Sequence, residues 1–145
     1  MSHIRTRIRQ NIVTTLTGLD NTGSNVYDSR VYPMNSDTLP GICVYTMGET
    51  SGYISINPPR TLDKMLTAAV EIYVQMVDTY DETLDQIAAD VEEALYTDLS
   101  RNGLAQDTRI VSFDSTFSGD VEQPVVVGKL NVQIRYSAVE GSPEG

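Results

Sequence analysis

The chain predicts an α+β fold, a largely antiparallel β-sheet with two helices packed on one face. Three observations lead there. Apolar residues recur at helical spacing near the start and again after residue 80, and between these two stretches lies one long span of strict alternation. Strand-like segments are grouped on either side of the second helical stretch with short turns between them, the order expected of an α+β domain rather than a βαβ repeat.

Residues 4–19 form the first helix. Ile4, Ile8, Ile12 and Leu16 recur every four residues, Leu19 extends the stripe, and Ser2 is the expected N-cap. Thr14, Thr15 and Thr17 lower its intrinsic propensity, so the helix depends on docking its stripe against a sheet. Gly18 and the Asp20-Asn21-Thr22-Gly23 cluster end it. Helical spacing puts Arg5 and Arg9 together at one margin of the stripe, while Arg7 points elsewhere.

Residues 26–31 read as a strand, followed by Pro33 and a polar turn at Asn35, Ser36 and Asp37. Residues 42–47 are the next strand. The stretch 48–59 contains Gly48, Gly52, Tyr53, Ile54 and Ile56 and stops at Pro58 and Pro59, which cannot donate to a ladder. It reads as a projecting hairpin or flexible loop. Leu66, Ala68, Val70, Ile72, Val74 and Met76 then alternate with Thr67, Ala69, Glu71, Tyr73 and Gln75, the signature of a long strand with one buried face.

Thr79 or Asp81 caps the second helix, in which Leu84, Ile87, Ala88, Val91, Ala94 and Leu95 oppose the acids. Asn102 and Gly103 end it after roughly four turns. In residues 109–117, Ile110, Ser112 and Asp114 fall on one side and Val111, Phe113 and Phe117 on the other. Residues 124–136 set Val126, Gly128, Leu130, Val132, Ile134 and Tyr136 on one face, and the two segments form an antiparallel hairpin about the Ser118-Gly119-Asp120 turn. The expected organisation is one domain over residues 1–137 with a flexible tail over 138–145.

Hydrophobic residues are 40% of the chain and charged residues 21%, an ordinary globular composition. A net charge of −10 argues against coating nucleic acid, whose affinity rests on Lys and Arg neutralising phosphates. The charge is unevenly spread: residues 1–19 carry three Arg and no acid, whereas 78–98 carry eight acids and no base. Two solvated helix faces explain that asymmetry, and so do complementary patches on neighbouring subunits. The first residues lack the continuous apolar stretch of a signal peptide, and no run approaches the roughly 18 apolar residues of a membrane span. A cytoplasmic protein with no membrane partner is expected.

Chemistry is sparse. His3 is the only histidine and lies beside a chain end, a poor place for a general base. Cys43 is the only cysteine, set between Ile42 and Val44 as a buried thiol would be, and no CxxC spacing supports a zinc site. No phosphate-binding glycine loop and no nucleophile elbow occurs. Asp78, Asp81, Glu82 and Asp85 are the one carboxylate group that could hold a hard cation, but the spacing lacks the Gly and closing Glu of an EF-hand. The expectation is a chain that is not an enzyme and needs no cofactor or metal.

Several motifs in this order resemble the tail terminator (tail completion) proteins of long-tailed bacteriophages, minor tail protein U-like. Leu39, Pro40, Ile42, Val44 and Tyr45 match a Leu-Pro-x-Ile-x-Val-Tyr entry into a strand. Arg60, Thr61 and Leu62 match the start of the long strand, and Glu71 and Ile72 its centre. Residues 85–95 match an Asp-x-Ile/Leu-Ala-x-x-Val-Glu-x-Ala-Leu helix. The likeness runs from about residue 4 to residue 137.

The resemblance implies a structural virion protein at the head-proximal end of the tail, assembled in the host cytoplasm. It implies a homohexameric ring that caps the tail tube, stops its polymerisation and offers an interface for head-tail joining. The implied partners are further copies of the chain, the major tail tube protein and head-tail connector proteins, with no direct binding of nucleic acid. Arg5, Arg9, Asp85 and Glu92 are the expected subunit-interface residues, and Tyr53, Ile54 and Ile56 the expected contact to tube or subunit. Two other readings stay open: a head-tail connector or neck-joining protein, and a monomeric ligand- or metal-binding module or small enzyme using the Asp78–Asp85 carboxylates.

Overall fold

The computed structural model describes residues 3–28, 39–75, 79–118 and 125–143. The elements are α1 (Ile4–Leu16), β1 (Val26–Tyr27), β2 (Gly41–Tyr53), β3 (Thr61–Gln75), α2 (Tyr80–Tyr96), β4 (Asp107–Ser118) and β5 (Val125–Val139). The strands form one five-stranded sheet in the order β1-β2-β3-β5-β4. Only the β1–β2 pair is parallel; the other neighbours are antiparallel. The α+β expectation, with a largely antiparallel sheet, therefore holds.

Alternation along β3 produces the core. Leu66, Ala68, Val70, Ile72 and Val74 are buried and join Val126, Leu130, Val132, Ile134 and Tyr136 of β5 in one cluster. Ile4, Ile8, Ile12 and Leu16 of α1 and Leu84, Ile87, Val91 and Leu95 of α2 complete the same cluster, so both helices lie on one face. Each fully buried Ile or Leu is worth about 1.5–3 kcal/mol. Thr6, Thr14 and Thr15 each cost at most about 0.7 kcal/mol of helix propensity. Docking outweighs propensity, and α1 exists because the sheet does.

Several boundaries differ from the sequence reading for local reasons. Helix α1 starts at Ile4 with His3, not Ser2, as N-cap: the imidazole Nδ1 accepts from the Arg5 N–H at 3.0 Å. It stops at Leu16, because the chain turns at Thr17 and Gly18 and Leu19 bridges to Gly23. Strand β2 runs through Tyr53 rather than ending near residue 47, since β3 provides partners as far as Leu62. Only residues 54–60 remain as the turn. Strand β5 continues past Tyr136 to Val139, and the Pro143 carbonyl accepts from the Ile4 N–H at 3.0 Å. The expected turns at 33–37 and 119–120, together with Ser2, Met76, Asp78 and Pro124, lie outside the described residues.

Helix α2 spans 17 residues and ends at Tyr96, before the expected Asn102-Gly103 stop. Thr79 precedes it in the left-handed region and makes no side-chain cap, leaving Asp81 and Glu82 to complement the positive helix end. At the other end the helix has no basic residue of its own. Arg101 folds back from a left-handed turn, fully buried, and its Nη2 donates to the Leu95 carbonyl at 2.5 Å and to the Asp98 carbonyl. The guanidinium thereby occupies the negative end of the helix dipole.

Two bulges change which side chains share a face. One lies between Thr46 and Gly48, the other between Ile110 and Ser112. The second corrects the expected split of β4. Ile110 pairs with Val132, Phe113 with Leu130 and Phe117 with Val126, all on the helix-facing side. Val111 is the inserted residue.

Gly128 is required where Phe113 and α2 converge. A Cβ there would meet Leu84 Cδ1 at 2.7 Å and Phe113 Cε1 at 3.0 Å. Gly128→Val is therefore expected to destabilise the domain by about 1–3 kcal/mol through overpacking. Urea unfolding of the two proteins checks it, and an unchanged midpoint would show that the helix-β4 contact is loose.

Candidate functional site

The long β2–β3 hairpin carries the first candidate surface. From the Ile42–Ile72 pair to the Tyr53–Leu62 pair the two strands stay in register apart from the bulge, so the turn is held at the end of a rigid arm. The Ile54 N–H donates to the Thr61 carbonyl at 2.8 Å and the Thr61 N–H to Ser55 Oγ at 2.8 Å, closing the turn. At the tip, Tyr53 is 70% exposed, Ile54 57% and Ile56 88%. Such exposure means that these side chains do not cover the domain's own core. The Arg60 guanidinium lies 5.0 Å from the Tyr53 ring centre and pairs with Glu140 at 3.2 Å. The end of the arm next to the turn is pinned further by Arg135, which donates to both Asp63 oxygens at 2.8 and 3.1 Å.

Arg5 and Arg9 do share one margin of α1, and both turn toward β1 and β2. Arg5 Nη1 pairs with Glu49 Oε2 at 2.7 Å. Arg9 pairs with Asp28 and donates to Thr46 Oγ1 at 3.2 Å. The bulge beside Met47 places Glu49 opposite Leu66, on the helix side of the sheet, where Lys64 reaches it at 3.4 Å and the Tyr136 hydroxyl donates to it. Burial alone would raise the Glu49 pKa, but hydrogen bonds from Tyr136 and Arg5 and the charges of Lys64 and Arg5 bring it below the usual carboxylate value. Burial and the Glu49 partner raise that of Tyr136.

A second surface lies between α2 and β4. Asp85, Ala88, Glu92, Phe113 and Leu130 line a groove of about 270 Å³. Asp85 and Glu92 are exposed on its helix side. Phe117 meets the Tyr80 ring edge-on at 6.4 Å, and the Tyr96 hydroxyl accepts from the Ile110 N–H at 2.9 Å, so the helix runs beside the strand along most of its length. Val111, Phe113 and Phe117 all stay exposed. Of the expected interface residues, then, Asp85 and Glu92 come together with an apolar groove, and Arg5 and Arg9 go to partners inside the chain. The apolar rim of β4 was not singled out from sequence. Its signal was present in two Phe and a Val within one polar strand, but exposure followed only from β4 being a sheet edge.

Among the described residues, reactive groups do not converge. His3 caps a helix, and burial, then Arg5, lowers its pKa. Cys43 is buried on β2 and its pKa is pushed up to about 11, by burial and then by Glu71. Among the described residues no group of three or more His, Cys, Asp or Glu is placed to hold a metal, and no helix is long and apolar enough to cross a membrane. What this geometry offers is contact surface.

Residues 3–136 match the family model of phage minor tail protein U. No curated protein matches the chain. Among solved structures it is similar to a chain from the virion of a native gene transfer agent particle, with 15% identity, 94% of this chain and 92% of that chain covered, and a TM-score of 0.51. At that identity the likeness shows the shared fold.

The Glu49 group gives a pH prediction. Because its pKa is depressed in the folded state, its stabilising contribution is present above the unfolded carboxylate value and is lost as pH falls through the folded one. Glu49→Gln should lower stability by about 1–3 kcal/mol at pH 7, and the difference from the parent should shrink on acidification. Denaturant melts at several pH values measure both; a gap that widens toward acid would refute the assignment.

Proposed function

From the premise that the chain belongs to the phage minor tail protein U family, structural virion tail proteins and not enzymes, we propose that it closes the head-proximal end of the tail tube. In this reading six copies form a ring that occupies the last layer of tube subunits, stops polymerisation and presents its other face to head-tail connector proteins. The observation that carries the proposal is the family match over residues 3–136, which takes in every strand and both helices nearly to the end of β5. The geometry adds support, because a small domain with two separate contact surfaces suits a heterologous ring contact.

Asp85 and Glu92 are the charged residues best placed for the subunit contact, being exposed beside the groove. Arg5 and Arg9 reach a neighbour only by sharing Glu49 and Asp28, so their contribution is secondary. Tyr53, Ile54 and Ile56 supply the apolar contact.

The test is assembly. Electron microscopy and native mass spectrometry of the chain with tube protein should show sixfold rings at one end of tubes of limited length. Tubes that elongate unchanged in its presence would overturn the proposal, and selective binding to connector without tube would transfer the chain to neck joining. Replacing Asp85 and Glu92 by Lys should reduce the ring fraction while shifting folding stability by no more than about 0.5 kcal/mol, as both are surface positions. An unchanged ring fraction would take these acids out of the interface.

A further inference from the structure

The large exposed apolar residues among the described residues fall into two groups on different parts of the molecule. Met47, Tyr53, Ile54, Ile56 and Val139 lie along the arm and beside its tip. Tyr96, Leu99, Val111, Phe113 and Phe117 lie along β4 and the end of α2. The first is a projecting tip and the second borders a groove. The arm cannot fold back into its own groove. Tyr53 pairs with Leu62 at the far end of β3, whereas the groove residue Leu130 pairs with Val70. At the usual rise per strand residue those positions are about 26 Å apart on a continuous strand.

Charge divides the same way. Helix α2 carries Asp81, Glu82, Asp85, Asp90, Glu92 and Glu93 with no Lys or Arg. The arm's own acids are matched inside the chain, Glu49 by Arg5 and Lys64 and Asp63 by Arg135. Its tip presents Arg60 beside Tyr53, where the guanidinium also pairs with Glu140 at 3.2 Å at a partly exposed site. The apolar tip and the acid-rimmed, apolar groove are complementary in their apolar surfaces, Arg60 can share its partly exposed pair with the groove acids, and one chain supplies both. Neither surface is complementary to itself, so the contact is heterologous and propagates from copy to copy.

We infer that the arm tip of one copy seats in the α2–β4 groove of the next, with Ile54 and Ile56 against Phe113 and Leu130 and Arg60 toward Asp85 and Glu92. This deepens the ring reading and rests on it. The occupant of the groove is a second copy of the chain, and the tube meets other surfaces.

Directed cross-linking tests it. Ile56→Cys and Asp85→Cys proteins, mixed before assembly with tube protein and then oxidised, should give predominantly 56–85 disulfides on peptide mapping; Cys43 is buried and does not compete. Rings that form without this cross-link, or with symmetric 56–56 links, would overturn the inference and leave the ring reading standing. Abundant 56–85 links in open chains lacking sixfold rings would support the inference and sink the ring. Absence of both removes both. As a second measurement, Tyr53→Ser, Ile54→Ser and Ile56→Ser together should leave the melting temperature close to the parent's. The triple variant should weaken self-association by at least about thirtyfold, as expected for losing a central apolar anchor. Unchanged association would count against the arm.

Discussion

A mismatch of lengths governs this molecule. β3 has 15 residues, about 50 Å of extended chain, while α1 with 13 residues and α2 with 17 reach only about 20 and 25 Å. Two helices on one face therefore cover the end of the sheet where Val70, Ile72 and Val74 are buried, and the other end of β2 and β3 runs on without a helix over it. That uncovered length is the arm. Had the helices been longer, Tyr53 and Ile56 would face protein; as it is, they form an exposed tip, and Glu49 meets Arg5 where the cover of α1 ends.

The arm stands without helical cover because its polar contacts replace it. Glu49 gathers Arg5, Lys64 and Tyr136 at the point where α1 begins, and Asp63 holds Arg135 across β3 and β5. With a side chain only 9% exposed, Glu49 would be costly to bury alone; with three partners it ties helix, arm and last strand together. The Pro143 carbonyl at the Ile4 N–H and the Arg60–Glu140 pair extend the same fastening to the C-terminal segment. The basic character of α1 thus serves the domain internally, whereas the acids of α2 stay on the surface.

Much of this was legible in the sequence wherever a period ran for several turns or pleats. The stripes of α1 and α2, the alternation of β3 and the β4–β5 hairpin all have that form, and so does the single-faced helix layer. What was illegible comes from interactions without a local mark. A bulge adds one residue and no composition signal, so Ile110 and Phe113 moved to a common face unannounced. Gly48, Thr50, Ser51 and Gly52 look like a loop and become strand because β3 lies opposite them. Arg101 caps α2 from beyond its end, a contact that no helix pattern contains. For the candidate surfaces, Tyr53, Ile54 and Ile56 stood out as apolar residues among turn formers. The groove did not, because the edge position of β4 follows from the strand order.

Exposed apolar edge strands invite indiscriminate pairing, and the charges on this molecule restrict how it can occur. A face-to-face contact between two α2–β4 surfaces would bring Asp85 and Glu92 of one copy against those of another. Such like-charge contact, with no base on the helix to relieve it, is a repulsive element against symmetric dimers. The proposed arm-to-groove contact avoids that repulsion while burying both apolar groups. Rigidity then decides the outcome of repetition. In the proposed contact, an arm locked by β2–β3 pairing and by Asp63–Arg135 would fix the angle between successive copies, and a fixed angle is what lets a head-to-tail contact close after a set number of subunits instead of growing as a fibre.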